Sequence, residues 1–333
     1  MGKKANGKRS RRLAKIQNNN KVKSNGLNKF WLLFAIILIG VTVGIFTLKK
    51  QSKTDWSELN HELPQTTTTA EHFQKQLEII DYILQSIKGV VDKTQDDEAL
   101  KLYNFLSQNY VLARVGKFDS NQDGWTMDLS TRDGKKIDRL PKDKVGFYVV
   151  MGEDETSQNK EFFQRERLLD RTFFHQVTGT FFISYGRVVN YSSPMMGIIM
   201  LHETKHAQQR ISGRINQNEQ DMLKHEAEAY LFETRLIGKL LGPEYYKIRD
   251  QMSAEIETNF SQSVSEISFN PHFNSSHKGE LKKILWPIKG QDELDLIYWL
   301  TGMDAMLKLA STSVHPNDLA NVQINIIKYF SRH

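Results

Sequence analysis

The chain has no cysteine in its 333 residues, so disulfide frameworks, cysteine-ligated zinc, iron–sulfur clusters and cysteine nucleophiles are all excluded. Any catalytic metal must then be held by histidine and carboxylate side chains. The same absence leaves the redox compartment open, because a cysteine-free chain suits either side of a membrane. A second absence is local: the first 53 residues contain no aspartate or glutamate. No internal repeat is visible, and long apolar runs are missing with one exception.

Ten basic residues fall in residues 1–29, and Lys49, Lys50 and Lys53 add three more. The whole chain has 45 Lys+Arg against 39 Asp+Glu, a formal +6, so the remainder carries 32 basic residues against all 39 acidic ones and is itself acidic at −7. The basic excess therefore reports topology, and no nucleic-acid partner is expected from it. Between the two basic groups lies the exception, Phe30 to Leu48, nineteen residues without a charge. As a helix this run is about 28 Å long, enough for a bilayer core. A cleaved signal peptide has a shorter apolar region ending in small residues, and TLKKQSKTDW offers no such site. The run reads as an uncleaved signal anchor, with the basic tail 1–29 in the cytoplasm and residues 49–333 on the other side. Gly40 and Gly44 make a GxxxG through which two such helices can dimerise.

Residues 49–67, with Pro64 and four consecutive threonines, read as a linker to a domain at 68–333. Thr68 and Glu71 have capping-box spacing, and Phe73, Leu77, Ile80, Leu84, Ile87 and Val91 repeat at helical steps. With barely three heptads, that stripe is expected to pack on the domain rather than to form a coiled coil. A second helix follows from near Asp96 to Asn109. VGFYVVMG (145–152) and GTFFISYGRVV (179–189) read as strands, with EFFQRERLLDRTFF between them helical. Beyond Ser193 the pattern is helical over 194–211, 219–241, 244–260, 291–311 and 316–331, with a long polar loop at 261–289. DSNQDG (119–124) has the first half of a calcium loop, but Ser130 stands where a bidentate Glu is required, so a turn is expected there.

The motif with chemistry in it is HETKH, His202 to His206. Ser193 and Pro194 suit the N-cap and first position of a helix, which places both histidines about two turns in. Residues four apart share a helix face, so two imidazoles can converge on one ion. Glu203 is rotated about 100° from His202, within reach of a water on that ion without being a ligand. A third ligand is needed, and the next helix supplies Glu226 in HEAEAYLFETRL. Glu228 points away from Glu226, and Glu233 lies further along the same helix.

HExxH followed by Glu226-x-x-Ala229-Tyr230 resembles the gluzincin metallopeptidases, in particular the membrane-associated heat-shock and CAAX-prenyl-protease type. LASTSVHPNDLANVQI is similar to that family's late Thr-His-Pro segment. The resemblance covers residues 180–325 and implies Zn2+ held by His202, His206 and Glu226. It further implies Glu203 as the base that takes a proton from the zinc-bound water and passes it to the leaving amine, and His315 as a transition-state donor. Tyr230 stands where that family usually carries Asp, and Lys205 puts a charge inside HExxH.

The expected fold is α+β, a predominantly helical zincin-like domain behind one N-terminal transmembrane helix. The expected function is a membrane-anchored zinc endopeptidase of a bacterial envelope, acting on a peptide or protein, with strand 179–189 offering an edge for an extended chain. Two other readings stand beside it. One is a tethered zincin-like binding or chaperone module with little or no proteolysis, and the other is a helical interaction protein in which HETKH is coincidence.

Overall fold

The structure, a computed structural model, describes residues 69–119, 124–151, 171–214, 216, 218–259 and 274–330. The tail, the apolar run Phe30 to Leu48 with Gly40 and Gly44, the linker, Thr68 and most of the 161–174 segment lie outside them. Among the described residues no helix is long and apolar enough to cross a membrane. Nearly all of them belong to one compact unit, Trp56–Lys328, whose architecture is mixed α+β and mostly helical.

Helices α1 (Thr69–Thr94) and α2 (Asp97–Gln108) come first. Asp96 caps α2, its carboxylate accepting from Glu98 N and Ala99 N, which is the role its position before an amphipathic run foretells. The buried face of α1 includes Ile79, Ile80, Ile83, Ile87, Val90 and Val91. The stripe read from the sequence is therefore partly rotated, with Leu77 and Leu84 at its half-buried margin. That face packs against the domain rather than forming a coiled coil.

Six strands form one mixed sheet: β1 (Tyr110–Asp119), β2 (Gly124–Ser130), β3 (Lys136–Ile137), β4 (Val145–Val150), β5 (Phe173–His175) and β6 (Thr180–Ser184), in the order β3-β2-β1-β4-β6-β5. β4 pairs in parallel with both β1 and β6. All six of its residues are buried, as expected of a central strand covered on both faces. Tyr148, Val150 and Phe182 join Val111, Ala113 and Leu129 in one cluster. On the alternate positions Phe147 meets Phe181 at 5.0 Å and Phe174 meets Phe181 at 4.9 Å between ring centroids. Asp119 pairs with Gly124 across the β1–β2 hairpin, so the segment that resembles a calcium loop joins two strands.

The strand read over 179–189 ends at Ser184, whose side chain accepts from Arg187 N and starts a short helix α3 (Tyr185–Asn190). That strand is also not an edge. β5 pairs outside it in antiparallel register, Phe174 opposite Phe181, and β5 is the border of the sheet. Phe173 and Phe174, read as the end of a helix, are therefore strand residues.

The remaining helices are α4 (Ser193–Ile211), α5 (Glu219–Leu241), α6 (Pro243–Asn259), α7 (Ser276–Ile284), α8 (Gln291–Ser313) and α9 (Pro316–Phe330). α7 occupies part of the stretch read as loop. The cap of α4 is Ser192, one residue earlier than expected, with its hydroxyl accepting from Met195 N. Ser193 is already helical, and its hydroxyl donates to Ser86 on α1. A Cβ at Gly197 would come within 2.5 Å of the Ser86 carbonyl oxygen, so only glycine lets α1 lie this close to α4. Ser192 is in turn held by Glu293 at the start of α8. That fully buried carboxylate also accepts from Ser192 N, Trp286 Nε1 and Lys289 N. The N-terminal half of α4 is thus fixed from two sides before the histidines are reached.

Candidate metal centre

α4 runs inward through Met195, Met196, Ile198, Met200 and Leu201, all buried, which carries His202 and His206 to the interior at its midpoint. The chain turns through Gly213 (φ +80°) and returns as α5, packed against α4. This short helical hairpin brings Glu226 up to the two histidines. Their Nε2 atoms are 3.3 Å apart, and Glu226 lies 3.6 Å from His202 Nε2 and 3.5 Å from His206 Nε2. Among the described residues this is the one group of three that can converge on an ion. Ligand bonds of about 2.0–2.1 Å in a tetrahedron put ligand atoms about 3.3–3.4 Å apart. The histidine pair matches that spacing, and Glu226 turns Oε2 to His202 and Oε1 to His206 at distances close to it, so the donor set suits a tetrahedral metal.

The other ring nitrogens settle which atoms a metal would meet. His202 Nδ1 lies 2.9 Å from Glu233 Oε2, and a carboxylate can only accept. Gln209 donates its amide to the His225 carbonyl and to Glu228 Oε2, both at 3.2 Å, which leaves its Oε1 to accept from His206 Nδ1 at 2.9 Å. Both imidazoles therefore carry a proton on Nδ1 and turn Nε2 toward Glu226, the ring orientation in which Nε2, once free of a proton, would offer its lone pair to a metal. Glu233 is seven residues from Glu226, two turns along the same face of α5. Glu228 pairs with Arg214 and Gln209 instead of approaching the histidines, as its angular position requires.

Glu203 is turned to the side of this group and accepts from Phe174 N on the edge strand at 2.7 Å. One residue before its end, the same helix sends Arg210 Nε to the Gln176 carbonyl at 2.8 Å, so α4 grips the β5–β6 hairpin at two points. Gly179 in that hairpin has φ +68°, and a Cβ there would strike the Arg210 guanidinium. Burial pushes the Glu203 carboxyl up, with His202 and His206 opposing and Glu226 adding to the rise. Burial alone would lower both histidines, but Glu233 and Glu226 outweigh it for His202, and Glu226 does so for His206, so both rise. Glu226 is held well below the usual carboxylate range by the two imidazoles despite its burial. Three carboxylates thus surround two imidazoles, and no lysine or arginine among the described residues pairs with any of the three. A divalent cation bound there would supply the missing charge.

Lys205, the charge inside the motif, points the other way. It pairs with Glu98 on α2, as does Arg235 at 2.6 Å. Arg235 and Lys239 reach Asp96 at 3.1 and 2.7 Å. Tyr230, one turn after Glu226, sets its ring edge-on to His202 at 4.7 Å between centroids, with Trp299 of α8 behind it at 6.0 Å. Burial pushes the Tyr230 phenol far up, and the charges of Glu226, Glu233 and Glu203 add to the shift.

The structure brings together four of the five site residues expected from the sequence: His202, His206, Glu226 and Glu203. It does not bring His315 to them among the described contacts. That residue is exposed at the start of α9, where its Nδ1 accepts from Asn317 N and its carbonyl from Asp318 N. Sequence reading gave Glu233 no role, missed Gln209 altogether, and knew Tyr230 only as a departure from a motif. Spacing on α5 was the one signal available for Glu233 and Tyr230. No family model matches the chain, and neither does any curated protein or solved structure.

Proposed function

We propose that the chain is a membrane-anchored zinc endopeptidase with a zincin-like domain, anchored through Phe30 to Leu48 and working outside the cytoplasm. The observation that carries this reading is the convergence of His202, His206 and Glu226, whose ligand atoms all lie within 4.8 Å of one another, each imidazole fixed by a partner behind it, with Glu203 beside them. Two histidines and a carboxylate suit zinc among the common divalent metals. A zinc ion there supplies charge stabilisation at a carbonyl oxygen and makes water a better nucleophile at neutral pH.

Glu203 is the base. It is a carboxylate whose burial raises its affinity for a proton, and it sits one residue from a ligand on a helix that cannot shift without breaking the Phe174 and Arg210 bonds. It takes a proton from the attacking water and returns it to the amine nitrogen as the C–N bond breaks. The border strand β5 lies directly beside it, and an extended chain that reached this edge would run past the base. The resemblance to the membrane-associated gluzincins, through HETKH and Glu226-x-x-Ala229, supports the same assignment.

The test is cleavage of a denatured protein by the zinc-loaded full-length chain in detergent, set against Glu203→Gln. Loss of cleavage with zinc retained supports the peptidase. A chain that holds zinc and binds the denatured protein without cutting it is instead a tethered binding module, and equal cleavage by both forms removes Glu203 as the base.

A further inference from the structure

We propose that the Tyr230 hydroxyl donates the hydrogen bond that stabilises the scissile carbonyl oxygen as it becomes negative, an assignment that rests on the peptidase reading above. His315, the donor expected from the family resemblance, sits exposed at a helix start and spends its Nδ1 on a backbone N–H. Tyr230 is at the centre instead. Glu226 and Tyr230 are four apart on α5 and share one face. A long helical side chain leans back over the turn N-terminal to its own Cα, and for Tyr230 that is the turn carrying Glu226.

The ring is fixed in that attitude. It stands edge-on to His202 at 4.7 Å and 65°, and Trp299 backs it at 6.0 Å and 66°. No hydrogen bond joins the hydroxyl to another described residue, although the ring around it is well packed. A phenol held by its ring, with its O–H left to spend, is a donor positioned in advance, which is how such groups lower a barrier without reorganising.

The step balances without any further reagent. The oxygen of water adds to the carbonyl carbon, the π pair moves onto the carbonyl oxygen, and Glu203 takes the proton. As the pair returns, the C–N bond breaks and the amine nitrogen receives that proton. Tyr230 keeps its own proton throughout and contributes only a hydrogen bond, strongest when the oxygen is negative.

Tyr230→Phe removes the hydroxyl and keeps the ring. With zinc content and thermal midpoint unchanged, kcat is expected to fall roughly 10²-fold with KM within about twofold, because the bond is made mainly in the transition state. A second readout needs no turnover. A peptide phosphonate carries a tetrahedral anion, and its affinity is expected to fall about tenfold or more in Tyr230→Phe, while His315→Ala binds it as the parent does. Parental kcat and parental phosphonate affinity in Tyr230→Phe overturn the assignment, as does a loss found in His315→Ala and not in Tyr230→Phe. If the parent cuts no peptide yet phosphonate affinity still depends on Tyr230, the peptidase reading fails and the donor stands. If the zinc-loaded parent binds no phosphonate, both fall.

Discussion

Helices α4 and α5 are joined by two clusters of charge on opposite sides, and the two are built differently. On the outer side, Asp96 and Glu98 meet Lys205, Arg235 and Lys239, so two carboxylates face three cations and every group has a partner. On the inner side, Glu203, Glu226 and Glu233 meet two imidazoles and no lysine or arginine among the described residues. In the first cluster every carboxylate is matched by a cation, so it needs no metal ion. The second gathers negative charge in a buried place, which is costly unless a cation is bound there. One pair of helices therefore carries a structural clamp and a site, and charge balance tells them apart.

The largest expected effect comes from the inner cluster. Glu203→Gln should lower kcat/KM by roughly 10²–10⁴-fold while leaving zinc content and thermal midpoint near the parent. Stripping the metal from the full-length chain should come next. A ligand at about a thousandfold over its Kd contributes about 4 kcal/mol, so a chelator should lower the thermal midpoint by several degrees and readded zinc should restore it. Glu233→Gln should weaken zinc about 10–100-fold, since the carboxylate behind His202 fixes the ring rather than holding the ion. Competition with a chromophoric chelator measures this directly.

The outer cluster should respond oppositely. Asp96→Ala should cost about 1–2 kcal/mol in urea melts at neutral pH, from the lost cap and the lost ion pairs, with zinc affinity unchanged. Burial raises the Asp96 carboxyl, but the Lys239 ammonium, the Ala99 N–H and the Arg235 guanidinium outweigh it and hold it at about 2, against an ordinary 3.8. A folded value below the unfolded one gives stability that is fully present above about 3.8 and lost as pH falls toward 2. The difference between parent and Asp96→Ala should narrow across that window. Lys205→Met should have the smallest effect, within about 1 kcal/mol and with no change in zinc affinity, because its charge serves the clamp.

Which parts of this were readable in advance follows from how local each signal is. HETKH and Glu226 lie on two helices joined by a short loop, and helix periodicity alone brings them to one place. Glu233 and Gln209 act through hydrogen bonds whose partners are set only when α4 and α5 pack, so their residue types carry no mark. The short edge strand β5 has three residues and exists because β6 pairs with it, which no local pattern records. Tyr185–Asn190 contains two valines and a tyrosine and reads as strand, yet the Ser184 hydroxyl on Arg187 N turns it into helix. His315 was assigned through resemblance to a motif near the C-terminus, and its position in the chain said nothing of its distance from the histidines.

Zinc titration of the metal-stripped full-length chain, followed calorimetrically, tests the central assignment most directly. One tightly held ion per chain is expected, lost in His206→Ala and retained in Lys205→Met. Absence of stoichiometric binding, or binding that His206→Ala leaves intact, would contradict a metal centre at His202, His206 and Glu226.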